Sequence, residues 1–144
     1  MFRYVFFLLI GLPALADAAE IKAVKVTSDL AKNAFDASIW QNVPEEVVSL
    51  MAQPMVAPRP KTTETQAVHV KAVHNEQWVA FQLRWKAAEK SEAGKVGQFS
   101  DAVALQFPIQ LDPMPPIFMG GKDNPVHIFH WRAQYQRDAE KGKP

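Results

Sequence analysis

The chain is 144 residues long, carries a formal net charge of +1 and contains no cysteine. So even a balance supplies no broad field for nucleic acid or an anionic membrane surface. Without thiols there can be no disulfide framework, no thiolate-held iron–sulfur cluster and no haem attached through a C-x-x-C-H motif.

Arg3 precedes an almost entirely apolar run from Tyr4 to Ala16, and Ala16-Asp17-Ala18 gives the small-x-small pattern that signal peptidase cuts after. The run is shorter than the about 20 apolar residues of a spanning helix and is interrupted by Pro13. Residues 1–18 therefore read as a cleavable signal peptide, which makes the mature chain periplasmic. No later stretch is apolar enough to cross a membrane. Residues 19–144 are enough for one domain with a real core and not comfortably for two.

Residues 22–28 alternate, with Ala23, Lys25 and Thr27 on one face and Lys22, Val24 and Val26 on the other, and predict a first strand. A second is expected over 46–51, entered through Pro44. Pro54, Pro58 and Pro60 make 51–61 a loop or edge segment, because proline cannot donate to a ladder. Residues 67–73 and 77–85 predict a hairpin turning at Asn75-Glu76, with Val79, Phe81, Leu83 and Trp85 on one face. The charged segment 86–98 reads as an exposed loop. A strand follows over 101–107, with Val103, Leu105 and Phe107 on one face. Four prolines and two glycines make 108–122 irregular, 125–131 is the last strand, and 132–141 is a solvated helix. Short strands separated by turns predict an all-β chain, an antiparallel β-sandwich with a short C-terminal helix.

Catalysis finds little support in the residues. His127 and His130 are three apart, which on a strand sends them to opposite faces and makes them a poor metal pair. No serine sits in a nucleophile elbow, and Gly120-Gly121 alone cannot cradle a phosphate. The segment from Pro113 to Gly121 is different. Prolines stiffen it, Phe118 precedes Met119, and Gly120 and Gly121 follow. A thioether is a soft, weak donor that a rigid loop must present, and glycine lets backbone pass close to a flat cofactor. The commoner role of a methionine is to fill a gap in a core.

Three blocks in order resemble the haem-binding γ subunit family of ethylbenzene and dimethylsulfide dehydrogenases, whose relatives serve chlorate and selenate reductases. They are the stretch from Phe99 to Pro108, the stretch from Pro116 to Gly121, and the stretch from Pro125 to Trp131. Trp40, His74 and the strand from Val79 to Trp85 fit the upstream pattern, so the similarity covers nearly all of the mature chain. The resemblance implies a β-sandwich holding one haem b between methionine and lysine ligands. It also implies partnership with a molybdopterin catalytic subunit and an Fe–S subunit, and electron exchange with a soluble periplasmic carrier. Met119 matches the family's methionine ligand. Phe118, Gly120, Gly121, Phe107, Phe129 and Trp131 are the expected surroundings of the cofactor, and Arg132 or Lys122 is available to a propionate.

The family's lysine lies downstream of any segment present here, so the second axial ligand stays unassigned. A fragment of a longer reading frame is the expectation, with a shortened homologue as the other reading. The chain is expected to be an electron-transfer subunit and not itself an enzyme. The rival class is an exported carbohydrate- or ligand-binding sandwich, which would use exposed faces of Trp40, Trp78, Trp85 and Trp131.

Overall fold

The computed structural model describes residues 20–52, 57, 61–87, 100–113, 115 and 119–142. The signal-peptide expectation and most of the expected 86–98 loop lie outside them. The chain divides into two compact units, Met1–Lys86 and Ala87–Pro144.

The first unit is built on β3 (Ala67–His74), which pairs antiparallel along its whole length with β4 (Val79–Trp85), from Val68 opposite Trp85 to His74 opposite Val79. The turn between them is fixed by Asn75. Its Oδ1 accepts from the backbone of Gln77 and Trp78, and its own N–H donates to the Trp78 carbonyl. An asparagine that mimics a backbone turn is why the hairpin closes there.

Two short strands share the other edge of β3. β1 (Ala23–Lys25) runs beside Ala72–His74, and β2 (Glu46–Ser49) pairs antiparallel with Ala67–Val70. The β1 pairing is parallel, which corrects the expectation of a wholly antiparallel arrangement. Alternation in a sequence fixes which face turns inward but not the direction of the neighbouring strand.

Two single-turn helices that the sequence reading omits lie between β1 and β2. These are α1 (Leu30–Asn33) and α2 (Ala37–Trp40), whose first turns are capped by the Asp29 and Asp36 carboxylates. Each is too short for a 3.6-residue period to show, although an aspartate before each start is the usual N-cap signal. They bring Leu30 and Trp40 together with Val43 and the fully buried Val73, and Val24, Val26, Ile39 and Ala80 pack around that cluster. Burying side chains of this size stabilises by roughly 1.5–3 kcal/mol each. Trp40 donates its indole N–H to the Ala34 carbonyl at 2.9 Å, and Lys71 Nζ donates to the Trp40 carbonyl at 2.9 Å.

The second unit is a two-stranded antiparallel ribbon of β5 (Ala102–Pro108) and β6 (Val126–Arg132), continued by α3 (Ala133–Glu140). Ala133 is buried, and its N–H donates to the Asp101 carbonyl, tying the helix start to the start of β5. Two sheets and a short C-terminal helix place the chain in the expected all-β class. None of the described helices is long and apolar enough to cross a membrane.

Candidate functional site

The ribbon's register decides which of the predicted side chains meet. Val103 lies opposite Trp131, Leu105 opposite Phe129, and Phe107 opposite His127. Directly opposed residues share a face of a sheet. Phe107, Phe129 and Trp131 therefore fall on one face with Val103, Leu105 and His127, while Ala102, Ala104, Gln106, Ile128, His130 and Arg132 belong to the other. As the spacing predicts, His127 and His130 part company.

Phe107 and Phe129 meet edge to face, with ring centroids 5.8 Å apart and planes at 77°. That is the arrangement the ring quadrupoles favour. Phe129 is nonetheless 65 % exposed, and Trp131 is also exposed. The polar edge of Trp131 is occupied, since its Nε1 donates to Gln136 Oε1 at 2.7 Å and Gln136 Nε2 donates onward to Glu140 Oε1. The unit thus presents aromatic surface whose one strong donor is engaged by α3.

The loop between the strands carries Met119, Gly120 and Gly121. Met119 has φ 57° and Gly120 φ 69°, so two consecutive residues are left-handed. For glycine this is easy; for a residue with a Cβ it costs on the order of 1–2 kcal/mol. Strain of that kind collects at functional positions. Gly120 is also hemmed in. A Cβ there would stand 2.7 Å from the Asn124 carbonyl oxygen and 3.1 Å from both Val126 methyls, whereas one on Gly121 would touch nothing. Gly121 and Asn124 exchange backbone hydrogen bonds, and Ile109 N–H donates to the Pro125 carbonyl, which closes the loop at its base. The Met119 side chain is 74 % exposed. A methionine filling a core would be buried, which this one is not. Phe118 lies outside the described residues.

Arg132, the last residue of β6, has a buried Nε with no hydrogen-bond partner among the described residues. Leaving such a donor unmade costs about 1–3 kcal/mol, more when charged. One terminal nitrogen of the guanidinium donates to the Tyr135 hydroxyl at 3.3 Å, and Cζ lies 5.4 Å from the Tyr135 ring centroid.

A second polar cluster, in the first unit, joins residues that sequence spacing could not associate. Glu45 Oε1 lies 2.7 Å from His69 Nδ1, and one Arg84 terminal nitrogen donates to both Glu45 oxygens at 2.9 Å. The His69 hydrogen bond, helped by Arg84, holds the Glu45 carboxyl below the usual carboxylate range. These residues fasten the chain entering β2 to β3 and β4. Among the described residues, no group of three or more His, Asp or Glu side chains converges on a metal-sized site. Of the four tryptophans proposed for a sugar-binding surface, Trp40 is only 6 % exposed and belongs to the core.

A flat, apolar, iron-bearing group would ask for a presented soft donor, backbone that can pass closely, and apolar cover, and within the second unit Met119, Gly120 and the Phe107–Phe129–Trp131 face are the residues with that chemistry.

The chain is 30 % identical over 126 residues to a protein provisionally named respiratory nitrate reductase heme subunit ORF7 of Haloferax mediterranei, covering 84 % of this chain and 45 % of that one. It is also 30 % identical over 99 residues to the chlorate reductase subunit gamma of Ideonella dechloratans, covering 67 % of this chain and 41 % of that one. The chain thus spans less than half the length of these curated relatives. Residues 37–142, well over half of the sequence, match the family model described as ethylbenzene dehydrogenase, and the chain belongs to that family.

Proposed function

We propose that this chain is the haem-carrying part of a periplasmic electron-transfer subunit, relaying electrons between the Fe–S subunit of a molybdopterin oxidoreductase and a soluble carrier. The observation that carries this reading is the presence, in one unit, of an exposed methionine on left-handed backbone and of a ribbon face bearing the exposed Phe129 and Trp131. The relatives are named as a heme subunit of a nitrate reductase and a gamma subunit of a chlorate reductase, and neither name is that of a catalytic subunit.

The cofactor is haem b, held without covalent attachment, and when bound it supplies reversible one-electron exchange at iron. Met119 would hold the iron through its thioether sulfur, a donor that would raise the reduction potential relative to harder donors. Gly120 and Gly121 let the loop lie close, with Phe118 beside them in sequence. Phe107, Phe129 and Trp131 keep water from one side of the ring, which strengthens the electrostatic influence of every nearby group.

The test is an optical spectrum of the protein exported from a haem-sufficient host, oxidised and then dithionite-reduced. A Soret band with sharp reduced α and β bands is expected, and Met119→Leu should lose the haem or lower its potential. Haem content and spectrum unchanged by that substitution would remove Met119 from the site. A folded protein with no haem band, retained instead on polysaccharide, would favour the ligand-binding alternative.

A further inference from the structure

We propose that Gln136 is a positioning residue for the cofactor face: it holds the Trp131 indole and keeps its N–H satisfied when haem covers the ring, an inference that rests on the haem-binding reading above. The observation behind it is a directed relay of hydrogen bonds. Trp131 Nε1 donates to Gln136 Oε1 at 2.7 Å, and Gln136 Nε2 donates to Glu140 Oε1 at 3.0 Å. An indole N–H can only donate and an ionised carboxylate can only accept, so the direction of the amide between them is settled by its neighbours.

All three side chains are exposed, and an exposed hydrogen bond adds little because water offers the same partners. Its effect emerges when a flat apolar ligand covers the face that Trp131 shares with Phe107 and Phe129. Water then leaves, and an indole N–H without an acceptor would be stranded in apolar surroundings. Gln136 supplies that acceptor with a neutral group, and the charge stands one helical turn further on, at Glu140. Glu140 is the last residue of α3, where the helix dipole disfavours an anion, so what this carboxylate supplies is an acceptor for Gln136. The helix that carries both is fixed at its start, since Ala133 is buried and its N–H donates to the Asp101 carbonyl.

The experiment compares the full chain as wild type, Gln136→Leu, Trp131→Phe and the double variant, by urea unfolding without haem and by haem titration followed at the Soret band. Leucine keeps the helix propensity and has no amide. Without haem, Gln136→Leu should leave the unfolding midpoint unchanged and shift the Trp131 indole N–H resonance, identified by its absence from Trp131→Phe. Haem affinity should fall roughly tenfold, the loss expected for a donor left unmade beneath the ligand. In the Trp131→Phe background the same substitution should bring no further loss, because phenylalanine has no N–H to hold. Equal losses in both backgrounds would mean that Gln136 does not act through Trp131, and would overturn the inference. So would an unchanged affinity, an unmoved indole resonance, or a midpoint lowered enough to account for the loss. Gln136→Ala gives the same comparison if leucine at this exposed position impairs folding. Wild-type protein that takes up no haem would overturn the haem reading and this inference with it, a result distinct from every pattern of variant effects.

Discussion

Gly120 and Gly121 are neighbours in sequence with different obligations. Gly120 combines a φ of 69° with the close approach of Asn124 and Val126, while a side chain on Gly121 would enter open space. Gly120→Ala should therefore lower stability by about 2 kcal/mol or more, from left-handed strain and the displaced neighbours together. Gly121→Ala should change it by no more than about 0.5 kcal/mol. Urea unfolding of the apoprotein measures both, as a shift in midpoint at constant slope. Equal effects at the two positions would mean that the loop does not have this geometry. The Met-Gly-Gly sequence suggests a backbone that passes something closely, but it does not tell which glycine is indispensable. That is decided by the return of the chain through Asn124 to Val126. The same holds for Arg132, whose unpaired nitrogen is a property of its surroundings.

Among the elements, those whose signals are local were the ones legible in sequence. The β3–β4 hairpin announces itself through alternation on both sides of Asn75, β5 through alternation that ends at Pro108, and β6 through its start at Pro125 after an irregular stretch. Phe107, Phe129 and Trp131 were grouped by the family resemblance, and the β5–β6 register is what sets them on one face. What could not be read depends on distant partners: the parallel seat of β1 on β3, and the junction of Glu45 with His69 and Arg84. That junction has a pH signature. Because the hydrogen bond from His69 and the Arg84 guanidinium depress the folded-state pKa of Glu45, its stabilising contribution is complete above the unfolded carboxylate range. It is lost as pH falls through the lower, folded value. Melting temperatures of wild type and Glu45→Gln should therefore differ at neutral pH and converge as acid is added below about pH 4, near the ordinary glutamate pKa. A difference that widens in acid would contradict the assignment of Glu45 as the ionised member of the cluster.

Across the whole chain, the two units divide the labour. The buried cluster around Val73 and Trp40 lies in the first, and every residue proposed to meet the cofactor lies in the second. A ligand that binds only the folded state stabilises it by mass action, by about 2.7 kcal/mol at a free concentration one hundred times its Kd. If that binding is local, the gain should appear as slower amide exchange where the ligand sits. Hydrogen–deuterium exchange with and without added haem should then show new protection in Ala102–Pro108, in residues 119–125 and in Val126–Arg132. β3 and β4, already held by pairing along their full length, should change little. Protection that rose in the β3–β4 hairpin and not in the ribbon would move the site into the first unit, where His69, His74 and Lys71 would become the donors to test. The same measurement bears on the wider family. The matched relatives are more than twice as long as the region aligned to this chain, so a ribbon that takes up haem within these residues would place the primary contacts of the cofactor in the portion shared with them.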